Sequence, residues 1–285
     1  MPRAWMLAGC GALTLAAAGC GGSGKASAGA SGTRAVYLAA VAKAAEVTGQ
    51  VPGYKFALTS STRFGDQGFS LHGTGAMDEG GSQGTISIQL AGKTLSEVID
   101  RPYVYVELPS GVGGPATGAK PWLRTDIDTV AQSFGGSSLG SSGADPTQTL
   151  SFLKAAGSVS RLGIEDVRGT PATHYHAIVQ LDRYATAVPP AERSSATKYA
   201  ATVKRITGTD TLPLDVWIDD QSRVRRIAFD LRLCGPDGKI EESIDLTLYD
   251  YGHQTSVEPP PASQVTDIGD RLGEEVARNL QQLHC

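Results

Sequence analysis

Apolar and polar residues alternate along most of the chain, which is the pattern of β-strands with one covered face. The alternation runs through seven segments, at 54–58, 69–75, 86–90, 101–108, 122–127, 159–167 and 174–181. The sequence GDQG at 65–68 predicts a hairpin turn between the first two strands. Three further strands with clean alternation are predicted at 214–218, 226–233 and 243–248. We therefore expect a long antiparallel meander.

Four segments with helical signals interrupt these strands. They lie at 36–48, 145–156, 189–206 and 263–283. The first is rich in alanine with apolar residues at helical spacing, and the other three begin at, beside or shortly after a proline. Because each predicted strand has one apolar face, the helices should lie across that face. The predicted fold class is α+β, a curved antiparallel sheet with helices covering its concave face. Glycine- and serine-rich stretches at 111–118 and 135–143 predict loops.

A curved sheet that helices cover in part leaves an apolar concavity, which suits the acyl chain of a lipid. The predicted lining consists of the apolar residues of the last three strands, Leu214, Val216, Ile218, Ile227, Phe229, Leu231, Ile244, Leu246 and Leu248. The same alternation is also typical of a filled core, so the pattern leaves both interpretations open.

Residues 1–19 have the features of a signal peptide of the lipoprotein type. A basic start is followed by an apolar segment too short to span a bilayer, and LAAAG then leads to Cys20. We expect cleavage before Cys20 and a diacylglyceryl group on its sulfur, which anchors the protein to the outer face of the cell membrane. A similar site before Cys10 leaves no apolar segment ahead of it, and plain secretion is the other alternative.

The mature chain divides into a predicted flexible tether at 20–34, rich in Gly, Ser and Ala, and a domain at 35–285. The formal net charge of the whole chain is −4, and loss of Arg3 with the leader changes it by one unit to −5. This mildly acidic balance argues against nucleic acid as a partner, because phosphate binding needs a basic face. A hydrophobic content of 40% is sufficient for a core.

Two cysteines remain beyond the leader and the anchor, Cys234 and Cys285. An even pair in an oxidising compartment predicts a disulfide, here between a strand and the C-terminal helix. Two free thiols, or an intermolecular bond through Cys285, are the alternatives.

The sequence offers little catalytic or cofactor-binding chemistry. His174 and His176 share a strand face, but a third metal ligand is not evident near them in the sequence, so we interpret them as polar surface and predict no metal site. The chain has no G-x-S-x-G elbow, no P-loop and no G-x-G-x-x-G motif after a strand. Adjacent carboxylates at 165–166 and 219–220 are interpreted as turn residues. We expect neither catalytic residues nor a cofactor.

Three segments carry a resemblance to a known family. The sequence GIEDVRGTPATHY at 163–175 resembles a V-x-G-x-x-T-x-H-Y strand pair. The sequence LPLDVWID at 212–219, followed by VRRI at 224–227, resembles a V-W-I-D…V-R-R hairpin, and 250–260 resembles a Y-G-x-x-V-x-I-x-x-P ending. With the lipobox before them, these motifs resemble the LppX/LprAFG group of actinobacterial lipoproteins over residues 35–262. That group shares a half-barrel fold with the periplasmic lipoprotein carrier LolA.

The resemblance implies a LolA-like half-barrel with a large apolar cavity. It also implies a lipoprotein that carries or sequesters an acylated lipid or lipoglycan in the cell envelope. The implied partners are a lipid or glycolipid, the membrane through the anchor, and an envelope transporter or acceptor protein. No catalytic residue transfers from the group. The alternative is a non-catalytic envelope interaction or sensor module with a filled core.

Overall fold

The computed structural model describes residues 25–90, 92–109, 120–127, 146–235 and 238–285. The predicted signal peptide, Cys20 and the two predicted glycine- and serine-rich loops lie outside the described residues. The α-helices are α1 (Lys25–Gly49), α2 (Pro146–Leu153), α3 (Leu181–Ala187), α4 (Arg193–Thr207) and α5 (Arg271–Gln282).

The strands are β1 (Gly53–Phe64), β2 (Gln67–Asp78), β3 (Gln83–Leu90), β4 (Lys93–Asp100), β5 (Tyr103–Glu107), β6 (Trp122–Asp126), β7 (Ala156–Val167), β8 (Thr170–Gln180), β9 (Thr211–Ile218), β10 (Val224–Gly235), β11 (Gly238–Tyr249) and β12 (Val265–Asp267). Short 3₁₀ turns lie at Glu79–Gly81, Pro190–Glu192 and Ala262–Gln264.

These strands form one open sheet of 12 strands in the order β12-β6-β5-β4-β3-β2-β1-β11-β10-β9-β8-β7. The neighbours pair antiparallel, apart from β12, which pairs parallel with β6. The connection from β6 to β7 leads from the strand next to one edge of the sheet to the strand at the opposite edge. The predicted α+β class and the curved, open half-barrel are confirmed.

The register gives the sheet one apolar and one polar face, as the alternation predicted. Leu58 pairs with Leu246, Leu246 with Ile227, and Ile227 with Val216, and all four side chains are buried. One residue further along β1, Thr59 pairs with Asp245 on the other face. A shift of the register by one residue would exchange these faces, so burial of the apolar face fixes the pairing.

The helices lie on the apolar face. α1 contacts β7, β9 and β10, α4 contacts β10, and α2 and α3 contact β8. They enclose a core that includes Val41 of α1, Phe56 of β1 and Tyr199 of α4. Among the described residues, no helix combines the length and the apolar character that crossing a membrane requires.

Several local predictions differ from the structure. Helix α3 was not predicted, and Glu165 and Asp166, expected in a turn, lie in β7. Helix α1 begins at Lys25, so residues 25–34 of the predicted tether are helical, which is consistent with the high helix propensity of alanine in this segment. Strand β4 was not predicted, because Glu97 and Ile99 are its buried positions and a buried glutamate interrupts the apolar alternation. The last helix starts at Arg271 rather than 263, since a 3₁₀ turn and β12 precede it.

Candidate ligand cavity

An apolar cavity of about 140 Å³ lies between α4 and the apolar face of β9, β10 and β11. Apolar side chains dominate its lining, which consists of Phe152, Tyr199, Thr202, Val203, Ile206, Thr207, Leu212, Leu214, Phe229, Leu231, Leu233, Glu242, Ile244, Leu280 and Leu283. The strands supply a rigid wall, α4 supplies the opposite wall, and two leucines at the end of α5 cover the remaining side. Such a site excludes water from an apolar guest and holds it by burial of its surface.

The nine residues predicted to line a ligand cavity divide into two sets. Four of them line the cavity, namely Leu214, Phe229, Leu231 and Ile244. The structure does not bring the other five to it: Val216, Ile218, Ile227, Leu246 and Leu248 are buried in the packed core, at 6% exposure or less. Alternation identifies the face of the sheet on which a side chain lies, but the placement of the helices decides where that face stays uncovered.

Sequence reasoning missed the helical half of the lining. Tyr199, Val203 and Ile206 of α4 follow one another at spacings of four and three residues, which is the apolar stripe of an amphipathic helix. That spacing was readable in the sequence. The packing of this stripe against strands β9 to β11 could not be predicted from the sequence, because it depends on the tertiary arrangement.

The C-terminal segment is attached next to the cavity at several points. Cys234 and Cys285 form a disulfide with a Cα–Cα distance of 5.2 Å, which is the pairing expected from the sequence. The backbone N–H of His284 donates to the carbonyl oxygen of Cys234 (3.0 Å), and that of Cys285 donates to the carbonyl of Arg205 (2.9 Å). The Arg205 guanidinium in turn donates to the carbonyl of Leu280 (2.9 Å). These contacts hold Leu280 and Leu283 over the cavity.

Gly208 permits this close approach. It has a φ of +68°, a conformation that L side chains rarely adopt, and a Cβ at this position would lie 3.0 Å from the Cβ of Cys285. A side chain at residue 208 would therefore displace the C-terminal segment.

Glu242 is an acidic residue in the cavity wall. It pairs with Thr62 and Leu231 on the neighbouring strands, so it shares the apolar face with Ile244. The hydroxyl group of Ser60 donates to its Oε1 (3.3 Å). Burial raises the pKa of the Glu242 carboxyl, and the Ser60 hydrogen bond offsets this in part.

A larger polar cleft of about 450 Å³ lies on the opposite, polar face of the sheet, behind the strands that carry Leu231 and Glu242. The cleft is lined by hydroxyl and charged side chains, among them Ser61, Thr62, Arg63, Ser70, Asp230, Arg232, Glu241 and Ser243. The sheet therefore separates this cleft from the apolar cavity.

A second polar cluster lies on the same polar face of the sheet. His174 contacts Glu165 through Nδ1 (2.8 Å) and Asp215 through Nε2 (3.1 Å), and His176 contacts the same Asp215 oxygen (3.0 Å). Hydrogen bonds from Trp217 (2.8 Å) and His174 lower the pKa of Glu165. Within the described ranges, His, Cys, Asp and Glu side chains form no group of three that could hold a metal ion. We interpret this cluster as a stabilising network around the buried ring of Trp217.

Comparison with known proteins identifies relatives in Streptomyces. The chain is 30% identical over 167 residues to an uncharacterised 31.2 kDa protein of Streptomyces griseus, a match that covers 55% of this chain and 51% of that protein. The match thus spans about half the length of this relative. The chain is also 24% identical over 256 residues to a predicted lipoprotein of Streptomyces coelicolor, covering 83% of this chain and 76% of the relative. No protein-family model matches the chain.

Two solved structures of mycobacterial lipoproteins are similar to this fold. LppX of Mycobacterium tuberculosis has a TM-score of 0.47 at 14% identity, covering 79% of this chain and 99% of LppX. LprF of Mycobacterium bovis has a TM-score of 0.47 at 12% identity, covering 80% of this chain and 98% of LprF. Both belong to the group that the sequence resembles. At these identities the likeness concerns the fold.

Proposed function

We propose that this protein is a non-catalytic lipoprotein that binds an acyl chain of a lipid or lipoglycan in the cavity beneath α4 and carries or sequesters it in the cell envelope. The observation that carries the proposal is the unfilled apolar space between α4 and β9–β11, in a core that is otherwise closely packed. An apolar guest gains about 25 cal/mol for each Å² of its surface that is buried there.

The size of the cavity sets a condition on this function. Its volume of about 140 Å³ lies below the usual range of ligand pockets, which is roughly 300–1,000 Å³. It therefore accepts the end of a chain in the present conformation. A longer segment requires displacement of Leu280 and Leu283.

The proposal includes attachment to the outer face of the cell membrane through lipid on Cys20, after removal of residues 1–19. The LAAAG-Cys20 sequence and the similarity to a predicted lipoprotein support this location. Metabolic labelling with a radioactive fatty acid tests it. Wild-type protein should be labelled and found in the membrane fraction, whereas Cys20→Ala should be unlabelled. Labelling that persists in Cys20→Ala would contradict the anchor.

The carrier function can be tested with two populations of phosphatidylcholine vesicles, one of which holds a fluorescent acyl lipid. The protein without residues 1–20 is added, and fluorescence in the acceptor vesicles is followed. Faster transfer than in buffer supports a carrier, and removal of lipid from the donors without delivery supports a sequestering protein.

If the protein neither removes nor transfers lipid, the ligand-binding proposal is wrong. An envelope interaction or sensor module then becomes the better interpretation, as the closely packed part of the core allows. A partner or acceptor protein in the envelope also remains part of the proposal. Crosslinking in whole cells with the anchored protein identifies it.

A further inference from the structure

An exposed pair of aromatic side chains lies at the tip of the hairpin that β1 and β2 form. The Phe64 and Phe69 rings are stacked with their centroids 6.4 Å apart, and the two residues remain 47% and 49% exposed. Phenylalanine is usually buried, and an exposed pair exceeds the scattered single apolar residues that a protein surface normally carries. The two rings therefore form an apolar surface that packing within the chain leaves uncovered.

These rings continue the apolar face of the sheet that forms the cavity wall. Phe64 pairs with Ile240 of β11, and Ile240 pairs with Leu233 of β10, which lines the cavity. Phe69 pairs with Thr62, two positions before Phe64 on β1, so it lies on the same face. An apolar row thus joins the hairpin tip to the cavity.

The hairpin tip and the start of α1 lie at the same end of the sheet. β7 runs antiparallel to β1, so β7 begins at the end of the sheet where β1 ends. The Arg34 guanidinium on α1 donates to the carbonyl oxygen of Gly157 at the start of β7 (3.4 Å). Near the other end of α1, the Thr48 hydroxyl accepts from the backbone N–H of Val224 at the start of β10 (2.8 Å). α1 therefore runs away from the end that carries the two rings.

This direction brings the predicted anchor toward the rings. Between Arg34 and Lys25, α1 extends about 14 Å beyond its contact with β7, at 1.5 Å per residue. Cys20 precedes Lys25 by five positions, so it lies within about 18 Å of the start of the helix. A lipid on Cys20 would hold this end of the sheet toward the membrane.

The charges around the hairpin tip are nearly balanced. Arg63, Arg232 and Lys239 are exposed cations at this end of the sheet. Glu241 contacts both arginines, at 3.8 Å and 3.9 Å, and Asp66 lies in the turn between β1 and β2. No strong surplus of either sign surrounds the rings among the described residues, so attachment to a lipid surface here depends on apolar burial.

We propose that Phe64 and Phe69 form a second membrane contact, which inserts into the boundary between the headgroups and the acyl chains of the outer leaflet. Apolar side chains gain from burial at this boundary, where aromatic rings are also well accommodated. The inference rests on the proposed anchor at Cys20 and adds a docking surface to it. Contact at this end places the apolar row that leads to the cavity against a source of acyl chains.

The first test attaches the protein to vesicles without its native lipid. A hexahistidine segment replaces residues 1–20 and binds phosphatidylcholine vesicles that contain a nickel-chelating lipid. The fluorophore NBD is attached to Phe69→Cys or to Ile164→Cys, an exposed position (64%) near the end of β7 and thus at the opposite end of the sheet. The native cysteines do not interfere, since they are removed with residues 1–20 or joined in the disulfide.

NBD at residue 69 should shift its emission to the blue and be quenched by spin-labelled lipid, because it enters the bilayer. NBD at residue 164 should emit as it does in water. Emission that does not distinguish the two positions would overturn the inference.

The second test measures what the rings contribute to binding. Protein without residues 1–20 is partitioned between buffer and phosphatidylcholine vesicles by flotation. Phe64→Thr combined with Phe69→Thr keeps the β-propensity of the strands and should lower the partition coefficient by at least about tenfold. Leu162→Thr combined with Ile164→Thr removes an equally exposed apolar pair, at 58% and 64%, and should partition as wild type does.

The outcomes separate this contact from the anchor. Urea unfolding shows whether each variant is folded. Equal partitioning of wild type and the double phenylalanine variant, whether strong or absent, would overturn the role of the rings and leave the anchor and the cavity in place. Partitioning that disappears in about 0.5 M NaCl would overturn it as well, because salt screens charges and does not weaken apolar burial. Absence of fatty-acid labelling at Cys20 would contradict the anchor, whereas the vesicle measurements do not depend on that lipid.

Discussion

A larger side chain on α4 can fill the proposed ligand cavity without removing any side chain from the core. Thr202 is half-buried and lines the cavity, so Thr202→Phe should place an aromatic ring in the space of about 140 Å³. Thr197 lies exposed on the same helix and offers a matched control, because Thr197→Phe adds the same group at the surface.

The expected loss of affinity follows from the cavity volume. A protein cavity of about 150 Å³ holds a benzene-sized molecule, so this one should hold roughly six carbon atoms. Each buried methylene contributes about 0.8 kcal/mol, which gives an upper limit of about 5 kcal/mol for the chain end. Ordering of the chain offsets part of this gain. We therefore expect Thr202→Phe to weaken dodecanol binding by about 3 kcal/mol, which is roughly a hundredfold in Kd.

The stability of Thr202→Phe should change in the opposite direction. The ring occupies space that is otherwise unfilled, and cavity filling commonly stabilises a protein by about 0.5–2 kcal/mol. Urea unfolding measures the stability of wild type, Thr202→Phe and Thr197→Phe. Displacement of the uncharged fluorescent probe N-phenylnaphthylamine by dodecanol measures the Kd of each protein for dodecanol. Wild type and Thr197→Phe should share one Kd.

The reasoning is refuted if Thr202→Phe is folded and binds dodecanol with the wild-type Kd. The ligand would then lie elsewhere on the protein. A loss of binding that accompanies unfolding would instead show that the wall around Thr202 is too rigid to accept the ring. Thr202→Leu, with a smaller side chain, then provides the test.

Three further predictions concern stability. Burial raises the pKa of Glu242 above its ordinary value, so the free energy of unfolding of the wild-type protein should fall as pH rises through the raised pKa. In urea unfolding, Glu242→Gln should therefore be more stable than wild type at pH 8, and the two proteins should have the same stability below about pH 4. Replacing Cys234 and Cys285 by alanine opens a loop with a sequence separation of 51 residues and should lower the free energy of unfolding by about 4 kcal/mol; dithiothreitol should do the same to wild type and leave the double variant unchanged. Leu248→Ala, at a fully buried site outside the cavity lining, should cost about 2–5 kcal/mol in urea unfolding and leave the Kd for dodecanol unchanged while the protein is folded.

The sheet was the most predictable part of the structure, because a strand shows its covered face as an alternation with period two. Leu214, Phe229, Leu231 and Ile244 were assigned to the apolar face in this way, and that face contains the cavity. Glu242 has the same parity as Ile244, so the alternation also placed its carboxyl on this face. A glutamate on an apolar strand face is the signal that sequence reasoning did not use.

The boundaries of the cavity could not be predicted, because they arise from contacts between distant segments. Leu246 and Leu248 alternate in the same manner as Ile244, yet they are packed in the core while Ile244 borders an open space. Leu280 and Leu283 reach the cavity through the disulfide at Cys285 and the contacts of Arg205, not through any local pattern.

The central claim is that an acyl chain occupies the space beneath α4. Native mass spectrometry of the protein isolated from a Streptomyces host, followed by lipid extraction, tests it most directly when wild type and Thr202→Phe are compared. The account predicts one bound acyl lipid for each wild-type molecule and protein free of lipid for Thr202→Phe. Wild-type protein that is free of lipid as isolated and takes up none from an envelope extract would contradict the claim, and equal lipid on both forms would contradict the assignment of the site.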